Sequence, residues 1–144
     1  MHGVLFWLSL GGHAGASEPA SCVPVDPPDA FVAVSTLGDG VTVEARYHGK
    51  NNFTGKPLPG YEASELWVRA EVGVALQKAA AALEPQGYGL RVLDGYRPVR
   101  ATLAMVEWTR LTQQEHLLSD GYIASKSGHN HGHTVDLTLF RRAD

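Results

Sequence analysis

The chain has 144 residues, enough for one domain, and its 44% apolar content can fill a core. A net charge of -3, with no basic run interleaved with aromatics, leaves no electrostatic footprint for nucleic acid. No stretch is apolar for long enough to span a bilayer, and a single cysteine, Cys22, rules out an internal disulfide.

In chain order, Val4 to Leu10 is a short apolar run, and Ala14-Gly-Ala16 has the small-x-small form of a cleavage site. Residues 1–16 therefore read as a signal peptide, although only His2 stands where a basic region belongs. Export to the periplasm is the expected destination, with the cytoplasm as the alternative. Cys22 lacks the preceding apolar residue of a lipidation site. Residues 17–30 carry four prolines without apolar periodicity and read as a linker. Residues 31–144 form the single domain.

Phe31 to Ser35 and Val41 to Tyr47 read as strands separated by the turn Gly38-Asp-Gly40. The Gly-, Pro- and Asn-dense stretch from His48 to Tyr61 reads as an ordered loop. Its Phe53 and Tyr61 are either a substrate wall or anchors of a surface excursion. From Val68 to Leu83, apolar residues at positions 68, 72, 76, 79, 80 and 83 predict an amphipathic helix, with Gly87 placed for a left-handed cap. Leu90, Val92 and Asp94 continue as a strand.

That strand runs into Asp94-Gly-Tyr-Arg-Pro98, a strand-to-helix corner. Pro98 suits the first turn of a helix reaching about His116. Arg97 is either a solvated corner residue or a fixed cation held by Asp94 through a charge-assisted bond. Helix aromatics such as Trp108 read as core. The final stretch, Ser127 to Leu139, reads as a polar loop entering a strand from Thr134 to Phe140. Alternation there puts Val135, Leu137 and Leu139 on one face and Asp136 on the other. Curvature of the loop could bring His129 round to Asp136, and imidazole with carboxylate is a common start of a zinc site. Nothing in the spacing makes His131 or His133 a ligand.

Three segments together resemble one family. Ser127-x-His129-x-x-Gly132-x-x-x-Asp136 resembles the zinc-ligand signature of the bacterial D-Ala-D-Ala dipeptidases (VanX-type) and of the related D,D-carboxypeptidases. Asp94-Gly-Tyr-Arg-Pro98 resembles the arginine corner of the dipeptidases. Asn52-Phe-Thr-Gly55, with Pro57 and Gly60-Tyr61, resembles the loop before their first long helix. The resemblance runs from about Val41 to Phe140.

It implies an α+β fold of the hedgehog/D,D-peptidase type, a mainly antiparallel sheet with packed helices and a zinc cleft on its open face. It implies hydrolysis of D-alanyl-D-alanine in peptidoglycan turnover or glycopeptide resistance, with one zinc ion. His129 and Asp136 would be zinc ligands and Arg97 would hold the oxyanion. Asp94 would orient Arg97, and Ser127 would support the substrate or the site. The alternatives are a D,D-carboxypeptidase acting on stem peptides and a non-catalytic wall-binding fragment. The family's base and third ligand sit in a Glu-x-x-His segment after the His/Asp strand. No Glu or His follows Asp136 here. The expectation is therefore a chain incomplete at its C-terminus, with its metal ligands short by one and an edge or apolar face of the last strand exposed.

Overall fold

The computed structural model describes residues 30–142. The signal-peptide and linker readings, apart from Ala30, lie outside the described residues.

Among the described residues, two small sheets form the frame. The first pairs β1 (Phe31–Ala33) antiparallel with β3 (Trp67–Arg69), Val32 opposite Val68. The second has the order β2-β4-β5, where β2 is Val41–Val43, β4 Tyr88–Asp94 and β5 Asp136–Arg141. β4 is antiparallel to β5 and parallel to β2. Two of the three pairings are thus antiparallel, and the class is α+β, as the family resemblance implied.

The helix expected from Val68 begins two residues later, as α1 (Ala70–Leu83). Val68 obeys the helical spacing, but its backbone is spent on β1 and its side chain is fully buried. A short strand thus took the first position of the apolar stripe. α1 packs on β4 and β2 and buries Leu76 and Ala80; Ala79 faces solvent. Past a 3-10 turn over Glu84–Gln86, Gly87 reverses the chain at φ 75°. Only a residue without a side chain adopts that left-handed turn at little cost.

Pro98 caps α2 (Val99–Leu111) rather than opening its first turn. α2 also stops five residues short of His116. Gln113 takes a left-handed φ of 57°, and its neighbour Gln114 donates back to the Thr109 carbonyl at 2.7 Å. A separate short helix, α3 (His116–Ser119), follows.

Opposed residues in β-pairs share a face. Val41, Leu90 and Leu139 therefore line up across the second sheet, as do Val43, Val92 and Leu137. The Leu90 and Val92 end of this face is sealed. It continues onto β5, an edge strand, where Leu137 is 40% and Leu139 51% exposed. The strand expected over Thr134–Phe140 runs instead from Asp136 to Arg141, leaving Val135 outside it, and the apolar side carried by Leu137 and Leu139 is largely uncovered.

Candidate active site

The site forms where β4 ends against the start of β5. The ladder between them slips by one residue: Val92 faces Leu137, Asp94 faces Asp136, and Leu93 is left over. Simple alternation would put Asp94 on the Val92 side. The extra residue resets the pleat, and the two carboxylates come to share one face, a common use of a bulge beside a functional site. Nothing in the sequence of β4 announces this slip.

Asp94 is 1% exposed and both of its oxygens are occupied. Oδ1 accepts from the Tyr61 hydroxyl at 2.6 Å and from the Gly95 N–H at 3.0 Å. Oδ2 accepts from Arg97 Nε at 2.9 Å and Nη2 at 2.6 Å. Arg97 is thereby held in place at 8% exposure, with the Tyr47 ring 5.3 Å from its guanidinium carbon. Of the two sequence readings for this corner, the solvated arginine is excluded. Burial works against the Arg97 charge, but Asp94 outweighs it and raises the pKa above the ordinary value. For Tyr61, burial and then the Asp94 charge push the phenol far up, so it stays a neutral donor.

The loop with His129 is fastened to this corner by backbone and side chain. A 3-10 turn over Gly128–His131 is capped by Ser127, whose Oγ accepts from the His129 N–H at 3.3 Å. Asn130 Oδ1 accepts from the Ser127 N–H at 3.2 Å, completing a capping box. Asn130 Nδ2 donates to the Arg97 carbonyl at 2.8 Å and to Thr102 Oγ1 at 3.0 Å. The Arg97 N–H in turn donates to the His129 carbonyl at 2.9 Å. Gly95 is confined by packing, since a Cβ there would lie 2.6 Å from the Trp67 carbonyl oxygen.

His129 Nδ1 stands 2.8 Å from the Gly95 carbonyl oxygen. A carbonyl only accepts, so the proton is on Nδ1 and Nε2 is left to face the cleft. Nε2 lies 3.5 Å from Asp136 Oδ1, and the other Asp136 oxygen lies 3.7 Å from Arg97 Nη2. Imidazole, carboxylate and guanidinium therefore converge. Burial lowers the His129 pKa, but the bond to Asp136, the Gly95 carbonyl and the Asp94 charge together raise it above the ordinary value. Asp136 is held below its ordinary value, chiefly by the bond to His129 and against the effect of burial.

This pair could hold a metal ion. Two ligands about 2.0–2.1 Å from a tetrahedral zinc lie roughly 3.3 Å apart, close to the 3.5 Å between Nε2 and Oδ1. The backbone acceptor behind Nδ1 is the usual outer partner of a metal-binding histidine. Asp94 also offers an oxygen within the same 4.8 Å cluster. Its four donors leave it no free lone-pair direction, so it serves Arg97 rather than a metal. His131 is exposed, and His133 is engaged with Glu71 at 3.1 Å on the outer surface.

Two cavities meet at the site. One of about 200 Å³ is lined by Arg97, Ser127, His129, Asp136, Tyr47 and Phe53, among others. The other, about 380 Å³, lies beyond Tyr47, Phe53 and Asp136, against Arg46, Asn51 and Asn52. Sequence reasoning missed Tyr47, Asn130 and the Asp94 contact of Tyr61. The Ser127-x-x-Asn130 spacing was the one available signal, as a capping box. The loop of residues 48–61 turns out to be both of its readings at once. Tyr61 anchors it in the core, and Phe53 walls the cavities. Trp108, read as core, is half-buried and packs edge-on against Phe53 at 5.1 Å.

Residues 29–144 match the D-ala-D-ala dipeptidase family model. The D-alanyl-D-alanine dipeptidase of Enterococcus faecium is 38% identical over 124 residues, covering 77% of this chain and 61% of that protein. Its namesake in Enterococcus faecalis is 35% identical over 125 residues, covering 78% and 62%. That of Streptomyces coelicolor is 37% identical over 123 residues, covering 76% and 61%. The chain thus spans about three fifths of the length of these curated relatives. The matched span contains the whole site, and this chain belongs to the D-ala-D-ala dipeptidase family of metallopeptidases.

Proposed function

We propose that this chain supplies the metal-binding and oxyanion-binding side chains of a zinc-dependent hydrolase of D-alanyl-D-alanine. The observation that carries this reading is the convergence of His129 Nε2, Asp136 and the Asp94-anchored Arg97 on one small cavity. The name that the relatives carry, D-alanyl-D-alanine dipeptidase, supports the choice of substrate.

His129 and Asp136 would hold the ion. Zinc bound there would supply Lewis acidity at the scissile carbonyl. Arg97 has a separate task. Its guanidinium is permanently charged and fixed by two bonds to Asp94, so it needs no reorganisation when negative charge develops on the carbonyl oxygen. Loss of such an oxyanion donor costs on the order of a hundred- to a thousand-fold in rate. Ser127 and Tyr47 line the same cavity and offer hydroxyls to a polar substrate. Among the described residues lining the two cavities, the only carboxylates are Asp94 and Asp136. Both are committed, so neither is free to take a proton from water. Binding is therefore the sharper test than turnover.

The substrate class points to peptidoglycan turnover or glycopeptide resistance, and the leader-like N-terminus to export. Calorimetry with zinc chloride, followed by D-Ala-D-Ala, tests the reading. One zinc per chain and saturable dipeptide binding, both lost in His129→Ala, support it. A chain that takes up neither contradicts it.

A further inference from the structure

The sequence motif Asn52-Phe-Thr-Gly55 divides sharply in the structure. Asn52 staples its own loop: Nδ2 donates to the carbonyls of Arg46, Gly49 and Lys56 at 3.2, 2.8 and 2.9 Å. Its Oδ1 accepts from the Thr54 N–H at 2.9 Å and the Thr54 hydroxyl at 2.7 Å. Gly55 makes the turn at φ 69°. Three of the four residues are spent on loop geometry. Phe53 is the one the loop presents, and it is 44% exposed.

Its ring does not hang free. It meets the Trp108 ring of α2 edge-on at 5.1 Å and the Tyr47 ring at 6.2 Å. A stapled loop on one side and a helix aromatic on the other hold Phe53 across the cleft. Both cavities are lined by Phe53, Tyr47 and Asp136, which together make the wall between them. Tyr47 is packed on Arg97 and Tyr61, and Asp136 belongs to the ligand pair. Phe53 is the part of the wall held in place by aromatic rings, those of Tyr47 and Trp108.

We propose that Phe53 sets substrate length by closing the inner, 200 Å³ compartment off from the outer, 380 Å³ compartment. The inner volume is below the roughly 300–1,000 Å³ of pockets for drug-sized ligands, and suits a molecule of dipeptide size. Arg97, Ser127 and His129 all open into it. A peptide with further residues must pass Phe53 to reach the outer compartment. Cutting the side chain back merges the two spaces. This rests on the dipeptidase reading and adds the residue that enforces the "di".

The test is calorimetric titration of the whole chain, in zinc chloride, with D-Ala-D-Ala and with the same dipeptide extended by one L-lysine at its amino end. The wild-type chain should prefer the dipeptide by about tenfold or more, the size of discrimination a steric pocket reaches. Phe53→Ala should reduce that ratio at least several-fold by improving binding of the longer peptide, and Phe53→Leu should fall between. Circular dichroism melts verify that the variants are folded. If the wild-type chain binds the dipeptide but Phe53→Ala and Phe53→Leu leave the ratio unchanged, the wall is refuted while the dipeptidase reading stands. If the wild-type chain binds neither peptide, the underlying reading falls and the proposal with it.

Discussion

The buried pair of Asp94 and Arg97 offers the most demanding test of how the site is held. Substituting Asp94→Ala removes the acceptor of four donors and leaves a guanidinium at 8% exposure with only the half-exposed Asp136, 3.7 Å from Nη2, as counter-charge. Solvent screening gives little relief, because the carboxylate is 1% exposed. Breaking a buried pair from one side costs about 3–5 kcal/mol. That is a large share of the roughly 5–15 kcal/mol that keeps a domain folded. For a domain of this size it corresponds to a fall in melting temperature of roughly 12–20 °C. Urea denaturation of the wild type, Asp94→Ala, Arg97→Met and the double variant separates the terms. The two single losses should not add: once Asp94 is gone, replacing the stranded guanidinium by an apolar chain should restore part of the stability. A cost for Asp94→Ala below about 1 kcal/mol, or strict additivity in the cycle, would refute the argument that Asp94 is the anchor of Arg97.

The remaining predictions concern protons, the loop and the exposed strand. Folding raises the His129 pKa above 6.5, so that group's stabilisation is complete below this value and is lost as pH rises through the raised native pKa. Asp136 is lowered from 3.8, so its contribution is present above that value and fades as pH falls through the depressed one. Thermal melts of the metal-free chain should therefore drop as pH rises above 6.5 and through the raised native pKa, and His129→Gln should flatten the slope; an unchanged slope would point to other groups. Zinc competes with the proton on Nε2, so its affinity should fall as pH drops through the raised His129 pKa, as a zinc chelator titration would show. Asn52→Ala should cost about 1–3 kcal/mol by stranding loop carbonyls, and should speed proteolysis within residues 48–57; an undisturbed cleavage rate would show that the loop is held by other contacts. Leu139→Lys, at a side chain 51% exposed on an edge strand, should suppress aggregation in light scattering with little change in melting temperature.

Much of this architecture was legible in residue order because the signals were local. Alternation marked β4 and β5, the apolar stripe marked α1, and Gly87 marked the reversal after it. What failed was local as well, but contested. Val68 fits a helix and a strand equally, and only pairing with Val32 decides between them. The α2 pattern runs on past Leu111, and the left-handed Gln113 that ends it has no glycine to announce it. His129, Asp136 and Arg97 were found through their spacing and a family likeness. Their convergence depends on a one-residue slip between two strands, which no single-strand pattern encodes. Tyr47 was missed for a plainer reason. Read as the end of a strand over Val41–Tyr47, it looks like core; the strand ends at Val43, and a 3-10 turn over Arg46–His48 sets the ring over the Arg97 guanidinium.

The central claim is that Nε2 of His129 and a carboxylate oxygen of Asp136 are ligands to one metal ion. Competition titration of zinc against a chromophoric chelator, on the wild type and on His129→Ala, Asp136→Ala and His131→Ala, measures this directly. The account predicts one zinc per wild-type chain, a loss of affinity of about tenfold or more on removing His129 or Asp136, and no change on removing His131. Zinc binding that survives the loss of His129 and Asp136, or that depends on His131, would contradict it.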